Sequence, residues 1–141
     1  MEFEAVCIGG TALALLGIIN RETQDCDILS PEIPKEIQQL SMEFAREIPN
    51  TDISLRENWL NNGPISLIRD LEAGWRERLQ LAFKGEALTL FTLGRADLLR
   101  SKLFALCDRA IDRNDCFALN PTKSELMKCL PWLEARDGNP L

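Results

Sequence analysis

The sequence contains no histidine, and this absence excludes nucleophilic mechanisms in which a histidine activates a serine or a cysteine. The five cysteines are an odd number, and no two of them form a C-x-x-C pair. Zinc sites of the finger or ribbon type are therefore disfavoured. Cys7 and Cys26 lie in apolar, strand-like runs, so we predict buried, reduced thiols there. Any general base in this protein must be a carboxylate.

The sequence also lacks an apolar run long enough to span a membrane. The candidate stretch, residues 5–19, is shorter than a bilayer requires, and two glycines and Thr11 interrupt it. Glu2 and Glu4 precede this stretch, where a secretory signal would carry positive charge. We therefore predict a cytoplasmic protein that does not associate with membranes.

An excess of basic residues is missing too, because 16 lysines and arginines face 22 acidic residues, for a net charge of −6. This balance argues against a broad basic surface for nucleic acid. It leaves open a small basic patch, or a nucleotide that arrives as a metal complex. At 141 residues, we predict a single domain over 1–141 with a substantial hydrophobic core.

Hydrophobic periodicity predicts strands interspersed with helices. Residues 5–8 read as a strand and 11–17 as a short helix, after which a second strand carries two acids. Helices are predicted over 34–48, over 97–111 and from Thr122, where a capping box begins and where Pro131 should kink or end the helix. Strands are predicted over 78–83 and 88–93. The fold class is therefore α/β or α+β.

Two short motifs combine into one candidate site. Gly9-Gly10 follows the first strand, and glycines there allow backbone N–H groups to approach a phosphate at a helix start. Asp25 and Asp27 are separated by one residue, so alternation along a strand places both on one face. Like charges that close require a cation between them or raised pKa values. We predict a Mg²⁺ or Mn²⁺ site at these carboxylates; a solvated strand end and a simple tight turn are the structural alternatives.

These residues resemble the nucleotidyltransferase superfamily, which includes DNA polymerase beta. Its pattern of a hydrophobic residue, two small residues and two acids one residue apart matches Ile8-Gly9-Gly10 and Asp25-Cys26-Asp27. The chain is also similar to a small bacterial branch related to type IV toxin–antitoxin toxins. This similarity covers the longer string with Thr11, Arg21 and Thr23, the segment 97–115, and the tail with Pro121 and Trp132. The resemblance implies a small mixed sheet flanked by helices, with C-terminal helices.

Four further residues are candidates for phosphate contact. Arg21 reaches a phosphate or offsets the acids, and Thr23 binds phosphate or orients the loop. Lys102 and Arg109 share one helix face with Leu98 and are predicted to direct positive charge at a triphosphate, with Lys102 assisting catalysis. The alternative is that Lys102 extends past the core and Arg109 pairs with Asp112, while Asp112 and Asp115 form helix-end salt bridges.

The resemblance implies a Mg²⁺-dependent transfer of a nucleoside monophosphate from an NTP to a protein hydroxyl, a tRNA end or a small molecule. Asp25 and Asp27 would hold the metal, and Gly9, Gly10 and Thr11 would hold phosphate. The superfamily also expects a third carboxylate on a later strand, and neither 78–83 nor 88–93 contains an acid. The alternative function is therefore a catalytically weakened domain that binds a partner protein, as one half of a toxin–antitoxin pair.

Overall fold

The computed structural model describes residues 2–20, 23–48, 55–109 and 113–136, with the side chains of 108 and 109 excluded. Contacts group the chain into two compact units, one of residues 1–69 and 81–92, the other of 70–80 and 93–141. The prediction of a single domain over 1–141 stays a prediction, since grouping by contacts does not by itself define an independently folding domain.

The first unit is built on a mixed five-stranded sheet in the order β3-β2-β1-β5-β4. The strands are β1 (Phe3–Ile8), β2 (Cys26–Ser30), β3 (Leu60–Asn61), β4 (Gln80–Lys84) and β5 (Leu88–Thr92). β1 is antiparallel to β2 and parallel to β5, and β2 is parallel to β3. The structure thus confirms the predicted α/β (α+β) class.

Two helices complete the sheet unit, α1 (Gly9–Leu15) and α2 (Lys35–Glu47). The buried core draws alternate residues from the strands, as expected when one sheet face is covered. Its members are Ala5, Cys7, Ala12, Cys26, Ile28, Ile33 and Leu90. α1 begins at the glycines themselves rather than at residue 11, so the tight turn also forms the first helical turn.

In its described residues, the second unit contains the α-helices α3 (Arg95–Arg109), α4 (Arg113–Ala118) and α5 (Lys123–Arg136). Phe104 packs edge-on against Trp132 with ring centroids 6.1 Å apart, and the Trp132 indole donates to the Asp70 carbonyl at 2.9 Å. Asp97 is 1% exposed and accepts hydrogen bonds from Arg78 at 2.8 and 3.0 Å and from Arg100 at 3.1 Å. These contacts give the helical unit its own core.

Several predicted elements differ from the structure. Pro131 lies inside α5, which continues to Arg136, so of the two predicted outcomes Pro131 does not end the helix, and a kink there stays a prediction. Among the described side chains of α3, the buried ones are Asp97, Leu98, Leu99, Lys102 and Ala105, whereas Leu103 and Leu106 are only partly buried. The stretch from 55 to 75 contains β3 and the 3₁₀ helix Gly63–Asp70, and a second 3₁₀ helix begins at Trp75. Within the described parts of the chain, no helix has the length and apolarity needed to cross a membrane.

Candidate functional site

The turn between β1 and α1 lies against Asp27. Ile8 pairs with Asp27 across the antiparallel β1–β2 ladder, so the next residue, Gly9, lies beside Asp27. Gly9 has φ of +80°, and a Cβ built on it would lie 2.9 Å from Asp27 Oδ2. Both the left-handed backbone and the close carboxylate therefore require glycine at this position.

Hydrogen bonds from Thr11 hold the segment before β2 against α1. The Thr11 hydroxyl donates to the Asp25 backbone carbonyl at 2.5 Å and lies 3.0 Å from the Thr23 hydroxyl. Because the single Thr11 proton goes to the carbonyl, Thr23 must be the donor in the second bond. These two bonds link Thr23 and the backbone that carries Asp25 to α1.

Asp25 lies one residue before β2, whereas Asp27 lies within that strand. Asp25 Oδ2 forms an ion pair with the Arg56 guanidinium at 2.5 Å. Asp25 Oδ1 is shielded from solvent and has no hydrogen-bond partner among the described residues. A shielded carboxylate oxygen without a donor is costly, so Asp25 Oδ1 is a candidate ligand for a cation or acceptor for a donor on a bound molecule.

Asn61 on β3 is a site residue that sequence reasoning did not identify. The parallel pairing of β2 with β3 aligns Asn61 with Asp27, and the Asn61 amide donates to Asp27 Oδ1 at 3.2 Å. Its carbonyl oxygen accepts the Gly63 N–H at 2.8 Å, which determines the orientation of the amide group. An amide therefore stands beside Asp27, on a later strand, where the resemblance expected a third carboxylate. A two-residue strand leaves no periodicity for a sequence pattern to detect.

The residues at this site suit a divalent cation that also binds substrate. Within the described residues, no three acidic, cysteine or histidine side chains cluster as a metal site. Mg²⁺ commonly takes only one or two protein carboxylates, with phosphate and water completing its shell. The unpartnered Oδ1 of Asp25 and the carboxylate of Asp27 provide such donors, so the donor set fits a hard cation.

Burial favours the protonated form of the two neighbouring thiols. The pKa of the Cys7 thiol is raised to about 11, chiefly by burial, while a backbone hydrogen bond opposes the rise and the negative charge of Asp27 adds to it. Burial likewise raises the pKa of Cys26 to about 12, with smaller contributions from Cys7 and Asp27. A thiolate ligand or nucleophile is thus disfavoured here.

The other predicted site residues belong to α1 or to the second unit, or lie outside the described residues. Gly10 is in the first turn of α1. Arg21 lies outside the described residues, as does the side chain of Arg109 at the end of α3. Lys102 belongs to the second unit, where its ammonium donates to the buried Asp115 carboxylate at 3.0 Å. This ion pair gives Lys102 a structural role, and its predicted assistance at a triphosphate stays a prediction.

In the comparison with known proteins, the match covers the part of the chain that contains this site. A family model described as a nucleotidyltransferase of unknown function (DUF6036) matches residues 1–121. This range contains every strand and all the residues of the site described above. No curated protein and no solved structure gave a significant match.

Proposed function

Because the chain belongs to the DUF6036 family of nucleotidyltransferases, we propose that it transfers a nucleoside monophosphate from an NTP to an acceptor in a reaction that requires Mg²⁺ or Mn²⁺. The observation that carries this proposal is the unpartnered, buried Oδ1 of Asp25 next to the strand that bears Asp27. A cation at these carboxylates would offset the cost of that buried oxygen and attract a triphosphate.

Each part of the site has a proposed task. Asp25 and Asp27 hold the divalent ion, which when bound neutralises charge on the reacting phosphate. The backbone around Gly9 and Gly10 approaches phosphate oxygens, because glycine has no side chain to keep a phosphate away from the backbone N–H groups. Thr11 contributes through its backbone, since its hydroxyl is already bonded to the Asp25 carbonyl. Arg21, Thr23, Lys102 and Arg109 remain proposed phosphate contacts.

The proposed reaction is an in-line displacement at the α-phosphorus of the NTP. A bond forms from the acceptor oxygen to this phosphorus, while the bond from phosphorus to the oxygen bridging to the β-phosphate breaks. Pyrophosphate leaves with that bridging oxygen, and the acceptor proton passes to solvent water. The acceptor classes are a protein hydroxyl, a tRNA end or a small molecule; the net charge of −6 disfavours a long nucleic-acid footprint.

We place this activity in the cytoplasm. None of the five cysteines forms a disulfide, and four of them are buried, which suits a reducing compartment. Magnesium and nucleoside triphosphates are abundant there, so the proposed substrate and cation would both be at hand.

Asn61 favours a second candidate function. Its amide donates to Asp27 and cannot accept a proton from an attacking hydroxyl as a carboxylate could. The chain would then bind nucleotide with little transfer and act through a partner protein, as one half of a toxin–antitoxin pair. Nucleotide binding without measurable transfer to any acceptor class would favour this second function.

Both functions require that the site binds a nucleotide together with a divalent cation, and titration calorimetry with ATP and Mn²⁺ tests this. Asp27→Asn and Asp25→Asn should each weaken Mn²⁺-dependent nucleotide binding by about tenfold or more, because each removes one anionic ligand. Glu36→Gln, an exposed acid in the first turn of α2, makes the same charge change away from the site and should leave the affinity unaltered. Equal affinity in wild type and both aspartate variants would refute the metal assignment. Transfer from α-³²P-labelled NTPs then separates the two functions.

A further inference from the structure

Arg56 places a positive charge at the candidate site. Its Nη2 forms an ion pair with Asp25 Oδ2 at 2.5 Å. Among the described residues, no other lysine or arginine forms a hydrogen bond or an ion pair with the side chain of Asp25 or Asp27. The site therefore combines two carboxylates with one guanidinium, and the motif analysis of the sequence did not include this third charge.

The backbone that carries Arg56 is attached to the sheet and to α2. The Arg56 carbonyl accepts the Trp59 N–H at 3.1 Å, which closes a tight turn. The Trp59 indole donates to the Ser41 carbonyl on α2 at 2.9 Å, and the Trp59 carbonyl accepts the N–H of Cys26, the first residue of β2, at 2.6 Å. The Arg56 side chain therefore extends from a backbone position that is defined relative to the site.

The Arg56 side chain itself is held by little. It is 63% exposed, and among the described residues a single hydrogen bond joins it to Asp25. Three other arginines hold a carboxylate with two nitrogens each, and these pairs are Arg46 with Glu57, Arg78 with Asp97 and Arg95 with Glu125. An exposed ion pair made through one nitrogen contributes little to stability and leaves most of the N–H donors of a guanidinium available.

A divalent cation at Asp25 would compete with Arg56 for the same carboxylate. Two positive charges beside one carboxylate repel each other, and a weakly held side chain on a fixed backbone can turn away. A triphosphate bound to the cation brings several negative charges beside the guanidinium. Paired N–H donors match the geometry of phosphate oxygens, so the phosphate chain is a better partner for Arg56 than a carboxylate shared with a metal ion.

We propose that Arg56 exchanges Asp25 for the phosphate chain of the nucleotide when the divalent cation binds, and that it thereby favours triphosphates over monophosphates. The inference rests on the proposed function, because it requires a metal-bound nucleotide at Asp25 and Asp27. It adds a specificity-determining residue to that site. The competing description is a static ion pair in which Arg56 only holds Asp25 in position, and the two descriptions predict different signs of effect.

Binding of Mn²⁺ alone to the full chain, followed by electron paramagnetic resonance of the free ion, is the first test. Arg56→Gln should tighten Mn²⁺ binding about threefold, because the substitution removes a positive charge that competes for a metal ligand. A static ion pair predicts the reverse, since Asp25 would lose the group that positions it.

Titration calorimetry at saturating Mn²⁺ is the second test, with ATP and AMP as the ligands. Arg56→Gln should weaken ATP binding about tenfold and AMP binding less than about twofold, because AMP brings one phosphate and less negative charge to the guanidinium. Arg56→Lys keeps the charge but not the paired donors, so it should recover part of the lost ATP affinity.

Lys35→Gln is the matched control for the loss of one positive charge. Lys35 is exposed and begins α2, beyond the end of β2 that lies away from Asp25. Its substitution should leave the affinities for Mn²⁺, ATP and AMP unchanged. Both Lys35 and Arg56 face solvent, so neither change is expected to unfold the protein.

Two results would overturn the inference. One is equal ATP affinity in the wild type and Arg56→Gln. The other is a parallel loss of affinity for Mn²⁺, ATP and AMP in Arg56→Gln, which would assign Arg56 a static role at Asp25. Failure of the proposed function has a different signature, because the wild-type chain itself would then show no Mn²⁺-dependent binding of ATP, and the inference would fall with it.

Discussion

Gly9 and Gly17 provide a matched comparison at the residue scale, since both have left-handed backbones with φ of +80° and +75°. A Cβ on Gly17 would meet nothing within 4 Å, whereas one on Gly9 would lie 2.9 Å from Asp27 Oδ2. An alanine at either position costs about 1–2 kcal/mol of backbone strain. Only the alanine at position 9 also pushes against the proposed metal ligand.

We expect backbone strain to lower the free energy of unfolding in urea by similar amounts in Gly9→Ala and Gly17→Ala. In Gly9→Ala, contact with Asp27 should lower it further. We expect Gly9→Ala alone to weaken Mn²⁺-dependent ATP binding, by about tenfold if the carboxylate moves out of position. Calorimetry of both variants checks this. Equal nucleotide affinities in the two variants would show that the approach of Gly9 to Asp27 has no role in the site.

At the scale of an element, the short strand β3 determines the polar partner of Asp27. In Asn61→Asp one oxygen can still accept the Gly63 N–H, and the other then faces Asp27 Oδ1 in place of the amide. Two facing carboxylates repel each other unless a cation lies between them. We expect this variant to have a lower Tm than wild type in EDTA and a larger rise in Tm on addition of Mn²⁺.

Asn58→Asp controls for the added charge in that experiment, because Asn58 is exposed and lies three residues earlier on the same segment. Its Tm should respond to Mn²⁺ as the wild-type Tm does. If the two variants respond alike, the alignment of Asn61 with Asp27 does not create a cation site.

Also at the scale of an element, the start of α5 makes a pH-dependent contribution to the stability of the fold. Thr122 and Glu125 form the predicted capping box, with each backbone N–H bonded to the other's side chain at 3.0 and 3.1 Å. The hydrogen bond from Arg95 lowers the pKa of Glu125 to about 2, and the Thr122 N–H contributes in the same direction. A lowered pKa in the folded state means that the ionised carboxylate stabilises the fold.

That stabilisation is complete above the ordinary glutamate pKa of 4.5 and is lost as pH falls from there towards about 2. The Tm of Glu125→Gln should therefore lie below the wild-type Tm by a constant amount at pH 6–8, and the difference should shrink below pH 4.5. Glu134→Gln, at an exposed position on the same helix, should show no such pH-dependent difference. A gap that persists unchanged at pH 3 would contradict the assignment.

For the whole molecule, the reactivity of the five cysteine thiols reports burial in both units. Cys107 is exposed, while Cys7, Cys26, Cys116 and Cys129 are buried. One thiol should therefore react rapidly with iodoacetamide at pH 8 in the native protein, and five should react in urea. Cys7 and Cys26 should stay slow even at pH 9, because burial raises their pKa values to about 11 and 12. Peptide mass spectrometry of the labelled protein identifies the reacting positions, and rapid native labelling at Cys26 would contradict the fold.

The sequence was sufficient to predict the parts of this molecule that depend on local chemistry. The helix α2, predicted over 34–48 and observed at Lys35–Glu47, follows from apolar residues at helical spacing, and the capping box follows from Thr122 and Glu125. The class of the sheet unit and its glycine turn were also predicted. In each case a short stretch of chain contains the whole signal.

Features that depend on distant pairing were not predictable in the same way. Asn61 becomes a neighbour of Asp27 only through the register of β2 with β3, and Arg56 reaches Asp25 across 31 positions of sequence. In α3, Lys102 is buried because Asp115 on another helix pairs with it, which a single-helix pattern cannot show. Leu40 and Phe44 of α2 are likewise exposed, which violates a pattern that assumes every apolar face is covered by the same chain.

The border strand β3 is only two residues long. Unpaired backbone along the outermost strand of a sheet is what a second chain would extend in strand-by-strand aggregation. A two-residue strand has almost no unpaired backbone to which a second chain could add a strand. The short length of β3 therefore protects this edge of the sheet against growth into fibrils.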